Sequence, residues 1–159
     1  MTMRTGIGYD VHAFEQGRSL VLAGVRIQHN RGLGGHSDGD VLTHAIIDAL
    51  LGAAALGDIG QHFPPEDARW KDANSLDLLR RAVELVRSAG QSIVNIDATV
   101  VAAQPKLAPH IEAMRAALSE ALGIGVGSVN VKATTTDGLG SIGRGDGIAA
   151  LAIALLDST

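Results

Sequence analysis

The chain contains no cysteine, which removes disulfides, thiolate metal ligands and cysteine nucleophiles together. Any bound metal must therefore rest on His and carboxylate side chains. Aromatics are scarce: Tyr9, Phe14, Phe63 and Trp70 are the four among 159 residues, so the core is expected to be aliphatic. No run of about 18 apolar residues is present that would cross a bilayer. The longest, Ile148 to Leu156, has the length of a buried strand. The first eight residues lack a basic-then-apolar signal segment, which predicts a cytoplasmic protein. Basic excess is missing too. At a formal charge of −4, neither nucleic acid nor an anionic membrane is an expected partner, and an anionic ligand needs a local basic pocket.

Small residues are abundant, with 20 Gly and 24 Ala, and 46% apolar against 19% charged residues excludes disorder. The length fits a single domain, 1–159, with a sizeable core. Alternation of Ile7, Tyr9 and Val11 with Gly8, Asp10 and His12 predicts a strand, and Leu20–Leu22 with Val25–Ile27 around Ala23-Gly24 a short hairpin. A first helix opens at Asp38 or Asp40 and runs to about Ala55. Residues 57–74 lack periodicity and read as a long loop. Ser75 then fits as the cap of a helix with Leu76, Leu79, Val83 and Val86 on one face and Gly90 as its stop. Val94, Ile96, Ala98 and Val100 mark a strand, Pro109 the first turn of a third helix, Val129 to Ala133 another strand, and Ile148 to Leu156 the last. The expected class is α+β: a mixed β-sheet with helices packed on one face.

Three clusters can carry chemistry. Asp10 and His12, two apart on a strand, share a face, and His44 can complete a two-imidazole, one-carboxylate set with an open fourth position, the composition of a reactive zinc site. Asp48, one helical turn after His44, can orient its ring. On spacing alone, local hydrogen bonding with a satisfied buried His44 is the better reading. The second cluster, His36-Ser37-Asp38-Gly39-Asp40, precedes a helix N-terminus; Asp38 and Asp40 there read as structural groups or hydroxyl contacts. The third runs from Lys132 through Thr134, Thr135 and Thr136 to Asp137, able to hold a polyphosphate with a divalent cation but also a good strand sequence. Gly138 to Gly143 spells a dinucleotide fingerprint, but no helix is expected after it.

Together these residues carry a resemblance. Gly8-Tyr9-Asp10-Val11-His12, His36 to His44, Leu50 to Gly60, Phe63-Pro64, Pro105-Lys106, Pro109-His110-Ile111, Asn130 to Thr136 and Gly143-Arg144-Gly145 resemble the 2-C-methyl-D-erythritol 2,4-cyclodiphosphate synthase family over essentially the whole length. The resemblance implies a homotrimer with active sites between subunits. It implies cyclisation of a cytidine diphosphate ester, in which the substrate's 2-phosphate attacks its own β-phosphate and CMP leaves. Asp10, His12 and His44 are then the expected Zn2+ ligands, His36 and Thr135 the catalytic groups, and Asp137 the ligand of a second divalent cation, Mg2+ or Mn2+. Ser37, Asp58, Ile59, Gly60, Phe63, Pro64, Pro65, Glu66 and Asp67 are expected at the methylerythritol phosphate end. Ala102, Ala103, Gln104, Pro105, Lys106, Leu107, Lys132 and Thr134 are expected at the cytidine and diphosphate end, with Arg144 on phosphate and Ser141 nearby. The chain departs from the family pattern in Asp137, where Glu is usual, in Ser141, often aromatic, and in the Ala103-Gln104 order. A zinc phosphohydrolase using the same three ligands, a non-catalytic trimeric binding module and a dinucleotide oxidoreductase are the alternatives.

Overall fold

The computed structural model describes residues 2–158. Strand β1 (Met3–Glu15) leads into the hairpin β2 (Leu20–Leu22) and β3 (Val25–Ile27), a two-residue strand β4 (Gly32–Leu33), and helix α1 (Val41–Ala53). A four-residue helix α2 (Ile59–His62) and helix α3 (Ser75–Ser88) follow, then β5 (Gln91–Val101), α4 (Ile111–Leu122), β6 (Val129–Thr134), the single turn α5 (Gly140–Gly143) and β7 (Gly147–Ser158). The five-stranded sheet has the order β4-β1-β7-β5-β6, and β2-β3 form a separate pair. It is mixed: β5 and β6 run parallel, while the other neighbours are antiparallel.

Helix α1 is apolar on nearly every side, and all its residues except Asp48 and Gly52 are buried, as befits a helix enclosed by the sheet and α3. Its approach to β1 is set by two glycines. A Cβ at Gly8 would lie 1.8 Å from the Ala45 carbonyl oxygen, and one at Gly6 would lie 2.1 Å from that of Ala49. Without those side chains the helix backbone rests directly on the strand backbone. The even-numbered residues of β1 consequently face α1, and its apolar odd-numbered residues face away. Ile7, Tyr9 and Val11 are exposed, beside Leu151 and Ile153 of the paired β7.

The N-terminus of α1 is anchored by Asp40, which is wholly buried. Its carboxylate accepts from Thr43 N and Thr43 Oγ1 within the helix, from Ala23 N and Gly24 N in the hairpin turn, and from Ser75 Oγ at the start of α3. Asp38 accepts from Ser75 N and shares the single Ser75 Oγ proton with Asp40. Both acids are thus structural, joining three elements.

Three local expectations are corrected. The cap of α3 is Asn74, accepting from Leu76 N, because Ser75 is drawn inward by Asp38 and Asp40. Residues 57–74 are not one irregular loop: Asp58 caps α2, and Asp67 caps a 3₁₀ turn over Ala68–Trp70. A bulge between Ile93 and Asn95 shifts the phase of β5, leaving Val94 exposed while Ile96, Ala98 and Val100 stay buried.

Gly8→Ala is expected to force α1 off the sheet. It should destabilise the fold by about 3 kcal/mol, measured as a lower urea midpoint.

Candidate active site

Asp10 and His12 continue the helix-facing parity of Gly6 and Gly8, and His44 sits in the first turn of α1 above them. The glycine contact brings the ring onto the strand. His12 Nε2 lies 2.8 Å from Asp10 Oδ2, His44 Nδ1 lies 3.2 Å from the same oxygen, and the two ring nitrogens are 3.4 Å apart. One ligand atom from each residue falls within 4.8 Å of the others.

The opposite edge of each ring is occupied by a fixed partner. His12 Nδ1 meets the Gly34 carbonyl, which only accepts, so Nδ1 carries a proton and Nε2 is the nitrogen turned toward Asp10. His44 Nε2 contacts the buried Ser37 Oγ at 2.9 Å, leaving Nδ1 toward Asp10. Burial alone would raise the Asp10 carboxyl, but hydrogen bonds and charge from His12 and His44 outweigh it and hold the group at about 2. Burial likewise opposes the charged His12 ring, yet Asp10 raises its pKa. Two converging imidazole nitrogens and one ionised carboxylate fit a divalent ion with a position left open. Binding it would displace any proton held between His12 Nε2 and Asp10 Oδ2.

Asp48 does not orient His44. Its Oδ1 accepts from Ile59 N at 2.8 Å, tying α1 to α2, and burial raises its pKa against that bond. Ser37 is the partner of the ring instead.

The three residues border a cavity of about 280 Å³ that also takes in His36, Ser37, Ile59, Gly60, Phe63 and Pro65 from the expected set, with Asp48, Trp70 and Leu78. Trp70, missed as a wall residue, packs edge-on to Phe63 with centroids 5.2 Å apart. Its position within an aperiodic segment gave no signal of this. Asp58 and Asp67 cap their turns, Asp67 also pairing with Arg69 at 2.5 Å, while Pro64 and Glu66 do not line the cavity.

Ala102, Ala103, Pro105, Lys106, Leu107, Thr134 and Thr135 border a second cavity of about 210 Å³. It shares no lining residue with the first. Val11, Ala149, Val101 and Thr134 lie in one row across the sheet, so three strand spacings, roughly 14 Å, separate β1 from β6. Lys132 is exposed and donates to Asp97 Oδ2 at 2.7 Å, which with its hydrogen bond lowers the Asp97 pKa. Asp137 is exposed, with a left-handed backbone (φ 53°) and a 3.4 Å contact from Thr135 Oγ1, and lies outside the three-residue group. Gln104 and Arg144 meet elsewhere, in a third cavity with Phe14 and Arg31; Ser141 is exposed in α5.

The sequence profile described as the YgbB family matches residues 3–157. The chain belongs to that family. This YgbB-family chain is 60% identical over 156 residues, 98% of each sequence, to the 2-C-methyl-D-erythritol 2,4-cyclodiphosphate synthase of Thioalkalivibrio sulfidiphilus. It is similar to the bifunctional IspDF of Campylobacter jejuni at a TM-score of 0.96 and 47% identity, covering 99% of this chain and 43% of that one. A Plasmodium falciparum IspF solved as a CDP complex matches at 0.86 and 34% identity, over 99% and 97%.

For this YgbB-family chain, Asp10→Asn removes the charged donor on which both rings converge. Equilibrium dialysis with Zn2+ is expected to show at least about a hundredfold weaker binding.

Proposed function

We propose that this protein is a phosphorus–oxygen lyase that converts 4-diphosphocytidyl-2-C-methyl-D-erythritol 2-phosphate to 2-C-methyl-D-erythritol 2,4-cyclodiphosphate and CMP. It would act in the cytoplasm, on the non-mevalonate route to isoprenoid precursors. The observation that carries this reading is the convergence of Asp10, His12 and His44 beside a cavity, in a chain that shares 60% identity with a protein of that name. A 2-phosphate oxygen of the substrate forms a bond to its β-phosphorus, the bond from that phosphorus to the bridging oxygen breaks, and the bridging oxygen leaves on CMP. Nucleophile and electrophile share one molecule, so the protein's work is positioning and charge neutralisation, without a nucleophilic side chain.

Held by Asp10, His12 and His44, Zn2+ would supply Lewis-acid stabilisation of phosphate charge. His36 and Thr135 stabilise the transition state, and Asp137 would hold Mg2+ or Mn2+, directly or through water, which would neutralise diphosphate charge. Ser37, Ile59, Gly60, Phe63 and Pro65 bind the methylerythritol phosphate, Ala102, Ala103, Pro105, Lys106, Leu107 and Thr134 with Lys132 the cytidine diphosphate, and Arg144 a phosphate, with Ser141 beside it.

The single domain acts as a homotrimer. Ile7 (69% exposed), Tyr9 and Ile153 (51%) leave an apolar face on the central strands β1 and β7, the kind of surface that subunit contacts cover. The separation of the two cavities supports the same assembly, with each active site completed by a neighbouring copy.

Phosphorus NMR of the reaction is expected to show a cyclic diphosphate with CMP. Linear phosphates alone would instead mean that water attacks and the protein is a hydrolase. Thr135→Ala is expected to bind Zn2+ normally while kcat falls at least about a hundredfold. Ile153→Asp should place a charge in the subunit contact and shift the sedimenting species from trimer toward monomer, with loss of activity.

A further inference from the structure

The loop that carries His36 and Ser37 begins Gly34-Gly35 and passes Gly39, with left-handed φ at Gly39 (75°) and a φ of 149° at Gly35. Such a segment has little conformational preference of its own, yet it supplies one wall of the metal-bordering cavity. Four successive carbonyls are each taken by a separate partner atom. Gly34 O meets His12 Nδ1, and His36 O accepts from Asp72 N at 2.9 Å. The other two go to one side chain: Arg18 Nη1 donates to Gly35 O at 2.8 Å and Nη2 to Ser37 O at 2.6 Å. The guanidinium therefore straddles His36. Glu15 Oε2, 3.9 Å away, faces the same guanidinium from the end of β1.

We propose that Arg18 is a positioning residue for the reaction, its guanidinium fork fixing the Gly35–Ser37 backbone so that Ser37 Oγ holds His44 in register for the metal and His36 stays at the cavity. The chain of contacts is short. Arg18 fixes the Ser37 carbonyl, Ser37 Oγ lies 2.9 Å from His44 Nε2, and His44 Nδ1 faces Asp10 and His12. A planar fork with two parallel donors suits two carbonyls spaced along a backbone, whereas a lysine ammonium offers a compact point charge and no such geometry. The effect on turnover rests on the cyclase reading; the effect on metal binding does not.

The test compares full-length wild type, Arg18→Lys and Arg18→Ala. Metal-free protein is titrated with Co2+ against a competing chelator while the Co2+ visible absorption is recorded, and CMP release is followed separately. Both variants are expected to bind Co2+ about tenfold more weakly, in the range for loss of a group that supports a ligand, with a shifted absorption band and a comparably lower kcat. Methylguanidinium added to Arg18→Ala should recover both affinity and turnover severalfold while leaving wild type unchanged. Arg18→Lys keeps the stem and charge, so it reports even where Arg18→Ala fails to fold. Wild-type affinity and an unshifted band in Arg18→Lys would overturn the proposal, as would losses in Arg18→Ala that methylguanidinium leaves untouched. Wild type that releases no CMP would sink the cyclase reading, while the Co2+ measurement would still decide the role of Arg18.

Discussion

The contact of the α1 backbone with the β1 backbone, across Gly6 and Gly8, is the constraint on which the remaining geometry depends. A methyl group at Gly8 would stand 1.8 Å from the Ala45 carbonyl oxygen, so any other residue there must push the helix outward. His44 follows the cap Asp40 by one turn and reaches Asp10 and His12 only because that distance is short. Asp40 complements the glycines. Its five accepted hydrogen bonds fix where the helix begins along the strand, and a buried carboxylate can be tolerated there because its donors are so numerous. Glycine sets the depth of the helix, and the aspartate sets its register.

Within that frame the atoms of Asp10, His12 and His44 that could hold a metal are oriented by fixed neighbours. A carbonyl on one imidazole and a hydroxyl on the other decide which nitrogen of each ring faces Asp10. The carboxylate, held at about 2, stays ionised throughout the neutral range and supplies the charge that a divalent cation needs. Much of this order comes from backbone atoms of a glycine-rich loop, itself fastened by Arg18 and by Asp72 N.

The α+β class, the hairpin Leu20–Leu22 with Val25–Ile27 and the first helix were legible because each has a strong local pattern, and the structure reproduces them. The trio was legible as a candidate, but spacing favoured a blander reading. Nothing in the separation of His12 from His44 reveals the glycine contact that joins them. Local pattern misled where tertiary contacts intervened. Asp48, at the right helical spacing from His44, is captured by Ile59 N; Ser75, a good cap by type, is drawn to two buried acids; and Val94 is displaced by a bulge. The apolar positions of β1 are the sharpest case. Alternation identifies a strand without saying which face is inside, and here the glycines take the inside and leave Ile7, Tyr9 and Val11 outside.

The proposed trimer accounts for both that outward face and the divided pocket. About 14 Å of sheet separates the strand of His12 from that of Thr134, far beyond the reach of a threonine side chain, so Thr135 does not converge with Asp10, His12 and His44 of the same chain. Rearranging a loop would not close that gap, because both ends are fixed by continuous ladders across β1, β7, β5 and β6. Packing copies of the chain through Ile7, Tyr9, Leu151 and Ile153 removes the apolar face from water, and it can set the Lys106 and Thr135 cavity of one copy against the metal-ligating cavity of the next. The residues turned outward by the glycine contact would then hold the assembly together, while those turned inward would hold the metal.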